Sequence, residues 1–513
     1  MEDESVEATR MMMIGTAVAA LLLAMAISRL VQWLFSKTLP PDTVRPPHVQ
    51  SWIPYLGSAI EMGKDVVAFI CHYGKQFQSP LFTATIVGET CVFVADPELM
   101  NMVFKPKYAR YLDSYSLQKD FVTNVLGGTP KDVQQNFHTD TIKIGGKQAN
   151  HFILNRDSMG VSVGKVQDYF QKNIPELATS TNIWTSHSMF SMVYQAVFKA
   201  TAGPLVSDYF VQDESSWEAF QVFDKGVIPL FNKLPSFLTT KARQARSSLI
   251  QTLQSKAFQD QASPLMKARI QELPVSPSAL SKANLGLMFA SVGNSAPAIY
   301  WCLLRLMEDP PAWEACRAQV QALVLQKKQT DAGTTTTPTF TMDDLDQMTL
   351  LESAFWETLR LYQGNFTARR ITEDFVVETT TTYTNKQQPK KYLLEKGSRI
   401  MPFWAVLHYD PNIFSNPKQF QYDRFVGKPQ FTFASGAKIN FFPVVAFGGG
   451  EHLCPGRKFI SYEARLLLAL LMLNFDMRLA EGETIPGIDL TNIGVGVCHP
   501  EREVKVEIKR RQE

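Results

Sequence analysis

Apolar positions recur along this chain in three different rhythms. Residues 11–28, MMMIGTAVAALLLAMAIS, carry no charge, and only Arg29 interrupts the apolar run before Phe35. As a helix, that run is long enough to cross roughly 30 Å of hydrocarbon. The flank before it, MEDESVEATR, is acidic, whereas Arg29, Lys37 and Arg45 follow it. The positive-inside rule therefore puts the rest of the chain in the cytoplasm. A cleaved signal peptide would want a basic leader, and this one is acidic. The expected organisation is a lumenal terminus over 1–10, a transmembrane anchor over 11–35, a proline-rich hinge over 36–50 and one large domain over 51–513. Prolines in the hinge stiffen it and prevent helix.

Residues 80–97, PLFTATIVGETCVFVADP, change to a period of two and turn at Val87-Gly88-Glu89, which predicts a β-hairpin. From about 168 to 327 the period becomes helical. One long helix is predicted from near Lys282 to Glu308, stopped by Asp309-Pro310-Pro311. Residues 327–340 read as a surface loop. A further helix is expected from Asp343 or Asp344 to about Tyr362, and another from about Gly456 to Leu473. Short strands are expected in VVETTTTYTNKQQ, in LLEKGSRIMPF, and over 475–478 and 503–509. The fold class is mainly α with small β-sheets.

Composition narrows the function. Apolar residues make up 45% of 513 and the net charge is +2 with both signs mixed, which gives a large core and no basic stripe for nucleic acid. The six cysteines are scattered without a CxxC pair. That spacing argues against a disulfide scaffold, a zinc cage and an iron–sulfur site.

One cysteine is different. In Phe447-Gly-Gly-Gly-Glu-His-Leu-Cys454-Pro-Gly456-Arg457, three glycines permit a tight backbone ahead of Cys454. A long apolar helix follows, so Cys454 lies just before a helix N-terminus. Unpaired amides and the helix dipole there favour thiolate.

This segment resembles the haem-binding signature of the cytochrome P450 superfamily, Phe-x-x-Gly-x-Arg-x-Cys-x-Gly, with Phe447, Gly450, Cys454 and Gly456 in place. The resemblance implies haem b as cofactor, with Cys454 as the iron ligand. His452 replaces the usual arginine, which supports a haem propionate. Glu357-Thr-Leu-Arg360 matches the superfamily's Glu-x-x-Arg motif, and Arg424 in Tyr422-Asp-Arg424-Phe425 matches its third partner. Their implied role is structural. Arg369 is the implied propionate partner in preference to Arg370. No Trp-x-x-x-Arg signal appears between 120 and 160. The resemblance further implies an NADPH-cytochrome reductase as partner, a hydrophobic small-molecule substrate and a single-pass endoplasmic reticulum membrane location.

The long central helix departs from the superfamily pattern. Its usual Ala/Gly-Gly-x-Asp/Glu-Thr window aligns with Ala290-Ser291-Val292-Gly293-Asn294, so Gly293 replaces the acid and Asn294 the threonine. Pro297 lacks an N–H and clashes with the carbonyl of Gly293, predicting a kink and a freed carbonyl. Asn294, Gly293 and Pro297 are therefore the candidate catalytic positions. Asparagine followed by proline resembles a narrower group, the bile-acid and oxysterol 7α-hydroxylases, sterol 12α-hydroxylases and prostacyclin synthase. Trp52-Ile-Pro-Tyr-Leu-Gly57, Gly63-Lys-Asp and Ile493-Gly-Val-Gly-Val resemble that group too. Three functions compete: a monooxygenase of a steroid, oxysterol or terpenoid-like lipid; a reductase-independent isomerase of a lipid endoperoxide or hydroperoxide; and a non-catalytic haem or lipid carrier. Pocket segments are expected at 112–125, 289–297, 363–368 and 492–498.

Overall fold

The computed structural model describes residues 39–53, 55–330, 339–379, 390–494 and 496–512. The lumenal terminus, the anchor and the start of the hinge expected over 1–38 lie outside these residues.

The alternating segment forms the expected hairpin, β1 (Leu81–Ile86) antiparallel to β2 (Glu89–Val94), with Phe82 opposite Phe93. Val87 and Gly88 have φ of 49° and 79°. Two positive dihedrals are what a two-residue hairpin turn requires, because its twist must match that of the strands. The hairpin joins β3 (Leu112–Asp113), β4 (Arg369–Ile371) and β5 (Arg399–Met401) in a five-stranded sheet of order β1-β2-β5-β4-β3, with β2 and β5 parallel. A second sheet holds Thr43–Val44, Lys390–Leu394 and Phe375–Thr379, and a third holds Phe475–Leu479, Lys505–Arg510 and Thr185–Ser188.

Helices make the remainder. Those that build the centre are α1 (Met189–Leu205), α2 (Pro277–Val292), α3 (Ser295–Glu308), α4 (Thr349–Tyr362) and α5 (Arg457–Asn474). α3 packs on α1, α4 and α5, and Trp301, Leu303, Leu304 and Leu306 on it are fully buried. Every residue of α5 from Phe459 to Met472 is buried. A helix apolar on all sides belongs in a core. The span Pro277–Glu308 is also apolar and long enough to cross a membrane, but 78% of its most apolar 18-residue stretch is buried inside the protein.

Three expected boundaries move. The central helix starts earlier, at Pro277, where Ser276 accepts a hydrogen bond from the Ala279 amide and proline takes the first helical position. It is also two helices, interrupted at Gly293 and Asn294, rather than one kinked helix. Pro297 cannot donate to the Gly293 carbonyl, so the ladder stops there. Ahead of α4, a short helix Met342–Gln347 begins with a reciprocal Thr341–Asp344 capping box and is separated from α4 by Met348. Finally, the helix Pro310–Thr330 carries Lys327 and Lys328, which were expected to open a loop.

Candidate active site

Cys454 sits at the end of a loop whose shape is set by small residues. Gly448 and Gly450 have φ of 71° and 61°, a region costly for other residues. Gly449 lies against Phe104, and a Cβ there would come within 2.9 Å of the ring. Phe104 in turn stacks on Trp404 at 5.7 Å. The loop closes where the Cys454 amide donates to the Phe447 carbonyl at 2.9 Å. The sulfur is half-buried and receives backbone N–H bonds from Gly456 and Arg457. Burial nevertheless pushes the thiol up, against the pull of those amides and of the Arg457 charge. Burial thus acts against the helix end, while the Gly456 and Arg457 amides act in the direction the helix end predicts.

The loop is held from behind by the charge cluster. Glu357 and Arg360 on α4 are fully buried, and Arg360 grips the carboxylate through Nε and Nη2 at 2.8 and 2.7 Å. Arg424 Nε reaches both oxygens at 3.0 and 2.9 Å, and the Gln421 amide adds a bond at 3.1 Å. The structure thus brings all three predicted residues together. Arg360 Nη1 also donates to the His408 and Pro417 carbonyls. His408 passes the constraint on, because its Nε2 accepts from the Val445 amide, two residues before Phe447. Gln363 Nε2 donates to the Val445 carbonyl at 2.7 Å. His408 is fully buried, with its pKa driven down to about 3 by desolvation and then by Arg360, so it stays neutral and can accept. Sequence reasoning missed it, since a lone histidine in a short turn carries no motif.

Across from Cys454 lies the interruption between α2 and α3. A cavity of about 420 Å³ separates them, walled by Ala290, Phe355, Leu359, Phe447 and Phe459 and bounded by Asn294. Asn294 is fixed from the far side: its Oδ1 accepts from the Val497 amide at 3.1 Å. That assigns Nδ2 as the amide end left for the cavity. Gly496 makes the contact possible, since at φ 87° a Cβ would fall 1.6 Å from Asn294 Oδ1. Gly293 is buried and is not among the residues lining the cavity, and Pro297 is buried within α3. An apolar slot with one sulfur at its floor and few polar groups at its edges suits a ligated apolar macrocycle such as haem.

Of the expected pocket segments, 289–297, 363–368 and 492–498 reach the cavity, through Asn294, Gln363, Asn365 and Val497 among others. The segment 112–125 does not line it. That segment instead supplies a contact the sequence did not show: the Ser114 hydroxyl bonds to Nε2 of His452, and the Tyr115 ring lies edge-on to the imidazole at 5.2 Å. Arg369, half-buried on β4, donates to the Ala368 carbonyl at 2.9 Å and is felt by Asp113. His452 and Arg369 therefore flank the same stretch, residues 113–115. Arg370 pairs with Glu89 at 3.4 Å.

Comparison with known proteins fits this geometry. A model of the family described as cytochrome P450 matches residues 47–508. The chain is 27% identical to cytochrome P450 7B1 of Mus musculus, over 97% of this chain and 96% of the relative. It is 25% identical to cytochrome P450 7A1 of Sus scrofa, over 93% and 96%. It is 24% identical to the 5-beta-cholestane-3-alpha,7-alpha-diol 12-alpha-hydroxylase of Sus scrofa, over 98% and 99%. The solved structure of retinoic acid bound cyanobacterial CYP120A1 shares the fold, with a TM-score of 0.71 at 19% identity over 92% of this chain and all of that one. A cysteine loop braced by a buried charge cluster, an interrupted helix facing it and a match over nearly the whole chain have one reading: this protein belongs to the cytochrome P450 family and is a haem-dependent monooxygenase.

Proposed function

We propose that this monooxygenase hydroxylates a sterol or oxysterol, with Cys454 as the axial ligand of the haem iron. The observation that carries the reading is the placement of Asn294 across an apolar cavity from Cys454, locked there by Val497 and Gly496. The sterol class rests on two relatives whose names specify sterol hydroxylation, the cholesterol 7-alpha-monooxygenase of Cricetulus griseus and the 12-alpha-hydroxylase of Sus scrofa, which match this chain over 90% and 98% of its length.

Haem bound at Cys454 supplies activation of O2, favoured by electron donation from a thiolate. The protein supplies the rest. The Gly456 and Arg457 amides hold the sulfur and temper its charge. Phe355, Leu359 and Phe459 keep the cavity dry and present apolar surface to a lipid. Asn294 Nδ2 donates a hydrogen bond into the cavity without titrating, and the Gly293 carbonyl, freed by Pro297, accepts one. His452, held by Ser114, and Arg369 are the groups for the two propionates. An NADPH-cytochrome reductase delivers electrons, and the apolar run at 11–35 anchors the enzyme in the endoplasmic reticulum membrane.

The test is product formation by the haem-loaded protein from 25-hydroxycholesterol and from a lipid hydroperoxide, with and without NADPH and reductase. A sterol product gaining one oxygen only with reductase is the expected result. An isomerised hydroperoxide formed without reductase, and no sterol product, overturns it. Cys454→Ala should lose the thiolate-type spectrum of the reduced carbonyl complex, and retention of that spectrum refutes the ligand assignment.

A further inference from the structure

The central helix lacks an acid at position 293, yet the space beside that position contains one. A Cβ placed on Gly293 would lie 3.2 Å from Oδ1 of Asp224. Asp224 belongs to the last turn of the helix Glu214–Lys225, about seventy residues away in sequence, and is 6% exposed. Its other oxygen, Oδ2, accepts the hydroxyl of Tyr194 on α1. His499 Nε2 stands 3.9 Å from the same oxygen. The charged and titratable groups around the carboxyl are thus Tyr194 from α1, His499 from the closing segment and Lys225 from its own helix.

Two features make this more than a buried pair. His499 follows Val497 by two residues, and Val497 is the group that fixes Asn294. Exposure also grades inward, from 15% for the His499 side chain to 5% for that of Asp224. His499 and Asp224, 3.9 Å apart, thus lie in order from the more exposed side to the Gly293 position of the interruption, and Asn294, next in sequence, borders the cavity.

We propose that Asp224 supplies in space the acid that position 293 lacks in sequence, and that His499 and Asp224 pass protons to the helix interruption beside the cavity. In each passage the imidazolium gives one proton to the carboxylate. That leaves neutral imidazole and a carboxylic acid. The acid gives its proton to an oxygen acceptor at the interruption and returns to carboxylate, and bulk water reprotonates the imidazole. No electron moves in these steps. Burial raises the carboxyl of Asp224, which suits a group that must hold a proton and release it inward. The inference rests on the monooxygenase reading, because reduction of O2 consumes protons at that cavity.

The experiment uses the haem-loaded protein with NADPH, reductase and 25-hydroxycholesterol. Asp224→Asn should slow reductase-driven turnover by about ten- to a hundredfold and divert electrons to hydrogen peroxide. Oxidation of the same sterol driven by iodosylbenzene, which brings its own oxygen atom and needs no proton, should be unchanged. Asp224→Glu should restore part of the reductase-driven rate. Thermal midpoints supply a readout independent of activity. Gly293→Asp alone should be destabilising, since two carboxylates would meet, and adding Asp224→Asn should recover the loss. Equal loss of both oxidation routes in Asp224→Asn, or equal destabilisation by Gly293→Asp with and without Asp224→Asn, overturns the proposal. Lack of any sterol turnover by the wild type would strike the substrate assignment alone. The solvent deuterium isotope effect on NADPH oxidation, enlarged by Asp224→Asn if the relay exists and unchanged if it does not, still decides the role of Asp224.

Discussion

Replacing Glu357 by alanine isolates the support of the cysteine loop. The carboxylate is fully buried and accepts from two guanidinium groups and one backbone amide. Its removal leaves Arg360, fully buried, and Arg424, with a 6% exposed side chain, facing each other without a counter-charge. Breaking a buried pair from one side costs about 3–5 kcal/mol, because the remaining charge keeps its desolvation penalty. At about 1.4 kcal/mol per tenfold change, that is two to more than three powers of ten in the folded ratio. The loss should appear in the loop as well. Arg360 Nη1 would no longer be oriented toward the His408 carbonyl, and His408 holds Val445. The assay pairs a urea midpoint with the yield of reduced carbonyl complex per mole of protein. Glu357→Ala should lose most of its haem at urea concentrations the wild type tolerates. Replacing Glu357, Arg360 and Arg424 together by leucine or methionine should be less destabilising than Glu357→Ala alone, since no orphaned charge remains. A single variant with a wild-type midpoint and full haem content would refute the reasoning.

Other expectations follow from the same packing. Gly496→Ala must move either its own backbone or Asn294, so product formation should fall and stability drop by about 1–3 kcal/mol; wild-type turnover would show that Asn294 is not held by this contact. His408 has a folded pKa of about 3 against an ordinary 6.5, so the unfolded chain binds the extra proton between those values. Stability should therefore fall as pH drops from 6.5 toward 3, by up to about 1.4 kcal/mol per unit, and denaturant midpoints of His408→Gln should show a shallower acid limb. Glu463 on α5 is the opposite case. Burial raises it to about 8 from 4.5, so it is neutral in the fold and stability declines as pH rises through that window. Glu463→Gln should accordingly raise the denaturation midpoint at pH 7 by an amount on the order of 1–3 kcal/mol, and a lower midpoint would mean that the site needs the acid itself.

How much could be read beforehand depended on whether the cause was local. Cys454, Phe447, Gly450 and Gly456 lie within ten residues of one another, so their pattern announces a loop. Glu357 and Arg360 share one helical face, and their burial followed from Leu359, Leu361 and Phe355 around them. The central helix was legible as apolar, and Pro297 marked where its ladder fails, at the Gly293 carbonyl. What could not be read was that the break is a full interruption and that Val497, two hundred residues later, takes the Asn294 side chain. His408 and Ser114 act only through partners distant in sequence. Asp224 was invisible for the same reason, being an ordinary aspartate on an amphipathic helix until Gly293 packs against it. At Cys454 the helix-end amides act in the direction the sequence predicts, and the opposing burial of the thiol comes from packing that no local motif announces.

The five-stranded sheet also sets a timetable for the nascent chain. The β1–β2 hairpin is complete early, but the inner edge of β2 pairs with β5, Cys91 opposite Arg399. Ribosomes add about 5–20 residues per second. The hairpin, with Phe82, Val92 and Phe93 destined for full burial, therefore waits from about fifteen seconds to a minute for its neighbour. Contacts this distant form slowly, and an open strand edge can pair with other chains meanwhile. The cysteine loop emerges later still. Haem can be captured only after translation is nearly finished, so truncation anywhere before residue 454 should yield a chain that is not merely inactive but aggregating.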